Sequence, residues 1–220
     1  MAINKNKIML LRVIVVLIYL LLYPMAWLFP IQWGWENGLI ENTQLAICFI
    51  GFIFAAYAIF KVKDKNLRWF WSMIIAIWFI LFWRELSWGA CFYPPTSIDP
   101  QTGGAYPSAL LWYKPIVHPL LWLILICIAL VFVIKKQYRI IAVLWHEKQF
   151  PLIEFVLAVL GVFISTAAEG HMHLSLPLVN YFTAGQMQIV EELGELAIYL
   201  ALLAAQLRVW QLFKKTFSVG

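Results

Sequence analysis

Residues 8 to 29 read IMLLRVIVVLIYLLLYPMAWLF, an apolar run interrupted by one charge, Arg12. A helix rises about 1.5 Å per residue, so a run of this length crosses the roughly 30 Å hydrocarbon core of a bilayer. Inside lipid a backbone finds no water, and a helix satisfies its own N–H and C=O groups within one segment. The run is too long for a removable signal peptide, and no small-residue cleavage site follows it. It is expected to stay as a first transmembrane helix, kinked by Pro24 near its outer end.

Five more runs of this kind follow, and the reading is an all-α polytopic transmembrane bundle of about six helices forming one domain over 1–220. The helices are expected at about 8–29, 40–60, 69–88, 115–134, 152–168 and 187–212, with a long outer loop at 89–114. Composition agrees: 64% of the residues are hydrophobic and 12% charged, whereas a soluble domain carries about a quarter charged residues. The strict alternation of a membrane barrel strand is absent, and there is no internal repeat.

Charge sets the orientation. Lys5, Lys7 and Arg12 precede or open the first run, and Lys61, Lys63, Lys65 and Arg68 follow the second. Lys135, Lys136, Arg139 and Lys148 follow the fourth, and Arg208, Lys214 and Lys215 close the chain. Only Arg84 and Lys114 fall on the other side. By the positive-inside rule both termini are cytoplasmic, and the expected location is a bacterial inner membrane, multi-pass. The net charge of +5 is scattered between apolar runs, so it sets topology and excludes nucleic acid as a partner. Trp27, Trp33, Trp35, Trp69, Trp83, Trp88 and Trp112 sit near helix ends as interfacial anchors. Cys48, Cys91 and Cys127 have no metal or disulfide spacing; they read as packing residues, with Cys91 the one redox candidate.

The acids are distributed the other way. Asp64, Glu147 and Glu154 map to the cytoplasmic side, with Glu154 reaching headgroups near Lys148 or Arg139. Glu36, Glu41, Glu85, Asp99, Glu169, Glu191, Glu192 and Glu195 all map to the outer half, with His118, His171 and His173. Ionisable groups at membrane depth are costly and usually face a bundle interior or a wet cavity. Several carboxylates together require a bound cation, a basic partner or protons. On the sixth helix Gln188, Glu192, Glu195 and Tyr199 share one stripe.

Carboxylate and imidazole from facing helices are the usual donors of a bundle metal site. The expected ligands are Glu169, His171, His173, Glu192 and Glu195, followed by Glu85 and His118, for a divalent metal such as zinc or iron. The expected catalytic groups are Glu192 or Glu195 as ligand or base, Arg84 as an anion clamp, and Ser87. Glu36 and Glu41 read as solvated loop and cap residues.

The segments Trp35-Glu36-Asn37-Gly38-Leu39-Ile40-Glu41 and Arg84-Glu85-Leu86-Ser87-Trp88-Gly89, with the later Glu191-Glu192-x-x-Glu195, carry a resemblance. Together they resemble uncharacterised bacterial multi-pass membrane proteins that place Glu-x-Ser-Trp-Gly at the end of a helix. That resemblance implies an inner-membrane protein and brings no activity with it. In Ser87 and the pair His171/His173 the chain is also similar to the ceramidase-like membrane hydrolases, which bind zinc through histidines. It departs from them in having six helices rather than seven, and acids where their last helix has an HxxxH pair.

Three functions fit this pattern. One is a membrane-embedded metal-dependent enzyme acting on a lipid or lipid-linked substrate. The second is a cation or proton transporter. The third is a non-catalytic subunit or assembly factor that docks a membrane partner through 89–114.

Overall fold

The computed structural model describes residues 5–170, 176 and 179–216. They form a helical bundle of α1 (Lys5–Leu28), α2 (Leu39–Lys61), α3 (Lys65–Glu85), α4 (Lys114–Ile134), α5 (Tyr138–His146), α6 (Leu152–Ala168) and α7 (Ala184–Thr216). α1, α2, α3, α4 and α7 are long and apolar enough to cross a membrane; α6, at 17 residues, is shorter. A helix is present at each expected position, within a few residues of its expected ends. The short helix α5 is additional, in a stretch read as loop.

α7 is the hub, packed against α1, α2 and α6. Its apolar span is 67% buried inside the protein, against 6% for α4, which touches mainly α3 and leaves most of its surface outward. Helices come close where residues are small, the usual solution when lipid provides no hydrophobic push. A Cβ on Gly161 of α6 would lie 2.9 Å from the Gly194 carbonyl of α7 and 2.7 Å from the Tyr19 hydroxyl of α1. That hydroxyl donates to the Leu157 carbonyl at 2.5 Å. Gly51 of α2 lies against the Trp78 indole of α3. Trp78 Nε1 donates to Gln206 Oε1 of α7 at 2.5 Å, and Gln206 Nε2 donates back to the Gly51 carbonyl at 3.0 Å.

The two ends of the bundle are unlike. One end gathers the start of α1, the α2–α3 loop, α5 and the end of α7, and carries the basic clusters. There Glu154, buried at the start of α6, accepts from Arg12 Nε at 2.8 Å and Nη2 at 2.5 Å, with Arg208 Nη1 at 3.8 Å from its other oxygen. This corrects the expectation that Glu154 reaches the headgroups near Lys148 or Arg139: its partners come from α1 and α7, and they tie three helices together.

The other end carries the acids and the long connection between α3 and α4. α3 stops at Glu85, short of the expected Trp88. Ser87 (φ 46°), Trp88 (φ 57°) and Gly89 (φ 99°) take successive left-handed conformations, costing about 1–2 kcal/mol at each residue with a Cβ. Tyr113 OH donates to the Trp88 carbonyl at 2.8 Å and holds the turn from the start of α4. The segment then forms a small antiparallel hairpin, β1 (Ser97–Asp99) with β2 (Gly103–Ala105). The hairpin folds back onto the bundle: Trp35 Nε1 donates to the Gln101 carbonyl at 2.9 Å, and Gly103 lies against the Trp35 ring.

Candidate functional site

Five segments deliver glutamates to one point at the acidic end. Gly38 opens α2, which places Glu41 in its first turn, where the helix dipole favours a carboxylate. The last turn of α3 supplies Arg84 and Glu85. The C-terminus of α6 supplies Glu169, and α7 supplies Glu191, Glu192 and Glu195. Glu36 comes from the loop before α2. With Ser87 these residues line a cavity of about 190 Å³. Among the described residues, seven of the chain's eleven acidic residues therefore share one space with a single arginine.

The deeper carboxylates each have a protein donor. Arg84 Nη2 pairs with Glu195 Oε1, and Arg84 Nε lies 3.5 Å from Glu85 Oε1. Ser165 Oγ donates to Glu195 Oε1 at 3.1 Å. Tyr199 OH donates to Glu85 Oε1. Gln44 Nε2 donates to Glu192 Oε2 and to the Glu192 carbonyl, both at 2.8 Å. The backbone N–H of Asn37 donates to Glu41 Oε2, and that of Tyr106 to Glu36 Oε2 at 3.0 Å. Glu41, Glu85, Glu192 and Glu195 are buried, while the Arg84 side chain is 47% exposed at the mouth. Across the mouth the Glu169 side chain meets Glu191.

The stripe read on the last helix holds for Glu192, Glu195 and Tyr199, which all serve this site, and Arg84, Glu85, Ser87 and Glu169 join them as expected. Gln188 belongs to the stripe but does not line the cavity. His118 is not part of the cluster: it is exposed on α4, which stands apart from α6 and α7. His171 and His173 lie outside the described residues. Among the described residues no three of His, Cys, Asp and Glu converge as a ready-made metal site. Glu192, Glu195 and Glu85 are turned to protein donors, and a cation would have to draw them from Gln44, from Arg84 and Ser165, and from Tyr199.

Three cavity residues were left out of the expected ligand set. Glu41 is buried rather than a solvated cap, Glu36 is half-buried, and Glu191 lies at the mouth. The signal available for the first two was the motif segment before α2, which sets Glu41 one helical turn from Gln44. Cys91 is half-buried, and burial, followed by the nearby Glu41 carboxyl, pushes its thiol above the ordinary cysteine value. That disfavours the thiolate a redox role requires. Cys48 is buried packing as read, whereas Cys127 faces outward from α4.

No family model matches the chain, and no curated protein or solved structure matches it.

Proposed function

We propose that this membrane protein captures a cation in the glutamate cavity and uses it, as a membrane-embedded metal-dependent enzyme, on a lipid or lipid-linked substrate. The observation that carries the reading is the imbalance of seven glutamates and one arginine in one cavity. Carboxylates this close stay ionised only against added positive charge. A divalent ion such as zinc or iron would draw on Glu192, Glu195, Glu85 and Glu169, and its chemistry there would be polarisation of an ester or amide carbonyl or activation of water. Ser87 and Arg84 stand at the mouth, where Arg84 suits an anionic substrate group. The positive-inside rule directs the basic end to the cytoplasm, so the cavity would open on the periplasmic side of an inner membrane.

One observation favours this reading over transport. Below Tyr199, α7 continues through Leu200, Ala201, Leu202, Leu203, Ala204 and Ala205 before the next polar side chain, Gln206. Almost two helical turns of α7 therefore offer a cation or proton no polar step toward the basic end.

The test is cation-dependent stability. Purified protein is titrated with zinc, iron(II), manganese and magnesium while thermal unfolding is followed. At about one hundred times the dissociation constant a bound ion adds about 2.7 kcal/mol, and the gain is expected to vanish in Glu192→Gln and Glu195→Gln. No shift with any ion, together with substoichiometric metal after purification, would defeat the proposal.

A further inference from the structure

The basic end holds a cavity of the opposite sign. About 230 Å³ in volume, it lies between the start of α3 and the corner joining α4 to α5. It is lined by Asn66, Ile134, Lys135, Lys136, Arg139 and Ile140. No acid is among its lining residues. Elsewhere at this end the arginines are engaged: Arg12 and Arg208 face Glu154, and Arg68 Nε donates to the Val62 carbonyl at 2.8 Å. Among the described residues the side chains of Lys136 and Arg139 make no ion pair and no hydrogen bond. Lys135 Nζ lies over the Trp69 ring, 5.3 Å from its centroid.

The backbone explains the convergence. α4 closes with Gln137 N–H on the Phe132 carbonyl and Lys136 N–H on the Val133 carbonyl, and Lys136 is left-handed at φ 52°. This is the position where glycine is usual. The turn sets Lys135, Lys136 and Arg139 around one hollow. α5 then runs along the bundle with Leu144 buried and Tyr138, Val143 and Trp145 exposed, the amphipathic pattern of a helix lying at headgroup level.

We propose that this cavity binds the phosphate of an anionic lipid headgroup. The charge is complementary, with three cations and no acid around one hollow. The position is that of the cytoplasmic leaflet when the basic end is oriented by the positive-inside rule, and basic pockets between helices on that side suit anionic headgroups. The apolar part of the wall decides between a lipid and free phosphate. Ile134 is 64% exposed at the end of the lipid-facing helix α4, so a headgroup held here has its first acyl methylenes against Ile134 and Ile140. This site is separate from the glutamate cavity and does not depend on its function.

The test uses full-length protein in mild detergent, with bound lipids read by native mass spectrometry. The probes are phosphatidylglycerol, phosphatidylcholine and inorganic phosphate. Wild type is expected to retain phosphatidylglycerol over phosphatidylcholine. In the Lys136→Gln, Arg139→Gln double variant that binding is expected to weaken by about tenfold or more, each basic residue near an anionic surface contributing about 1 kcal/mol. A control pair at the same end but off the cavity, Lys61→Gln with Lys63→Gln, is expected to change it less than about twofold. Equal weakening in both pairs would mean diffuse surface charge and overturn the site. So would the absence of any preference for the anionic lipid. Displacement of the lipid by inorganic phosphate at equal concentration would overturn the lipid assignment.

Discussion

At one end of the bundle a single glutamate, Glu154, is held by two arginines; at the other, seven glutamates share one. Both clusters join helices distant in sequence, and both bury carboxylates. They differ in whether the protein itself completes the charge. Around Glu154 it does, with Arg12 and Arg208 reaching in from α1 and α7. Among the described residues of the acidic-end cavity it does not: Arg84 serves Glu195 and Glu85, the neutral donors Gln44, Asn37 N–H and Tyr106 N–H meet Glu192, Glu41 and Glu36, and Glu169 and Glu191 meet each other. A neutral donor eases one carboxylate without reducing the repulsion among seven. The first cluster reads as structure; the proposed function rests on the second, where the described residues leave the charge unbalanced.

The largest expected effect tests the first half of that contrast. Glu154 is fully buried, and Arg12 and Arg208 are 26% and 19% exposed. Glu154→Gln leaves two guanidinium groups without their carboxylate and is expected to destabilise the protein by about 3 kcal/mol, measured by unfolding in a fixed detergent. A loss under about 1 kcal/mol would show that the arginines find water instead. The second effect is smaller and of opposite sign. Glu192→Gln keeps an acceptor for Gln44 and removes one charge from the crowd, so without added cation it is expected to stabilise by about 1 kcal/mol. A binding cation should reverse the order, because wild type gains from the ion and the variant does not. If Glu192→Gln is as damaging as Glu154→Gln, both clusters are structural and the contrast fails.

Much of this was legible in the sequence, for a physical reason. Apolar length and the placement of Lys and Arg are one-dimensional signals, and the six apolar helices and the opposed ends follow from them. Helical spacing likewise brought Glu192, Glu195 and Tyr199 to one stripe. The losses came where three-dimensional partners decide. Glu154 and Glu41 each sit near a helix start, a position where a carboxylate is commonly solvated. Only the neighbouring helices reveal that both are buried and that one is paired with arginines. The sequence places His118 near the outer end of its helix with the acids, but α4 stands off from α7, and shared depth without contact makes no site. The end of α3 moved inward because Ser87 and Trp88 adopt left-handed geometry, which neither residue type announces. α5 is too short to register as a span, and its pattern is that of a surface helix.

The smallest expected effect concerns the hairpin against the acidic end. Asp99 is fully exposed, and its carboxylate accepts from the N–H groups of Gln101 at 2.7 Å and Thr102 at 3.0 Å. These bonds hold it below the ordinary aspartate value of 3.8. A carboxylate with a lowered folded value stabilises fully above its unfolded value, and that contribution is lost as pH falls through the folded one. Amide-exchange protection of Gln101 and Thr102 is therefore expected to hold constant from about pH 7 to about pH 5 and to fall only below the ordinary aspartate range. In Asp99→Ala it is expected to be low throughout, without the acid step. The hairpin also touches the cavity rim through Trp35 on Gln101 and Glu36 on Tyr106. Loosening already near about pH 6, and persisting in Asp99→Ala, would therefore have a different source. It would mean that the hairpin responds to charge in the glutamate cavity, which would join the two features that the present contrast keeps apart.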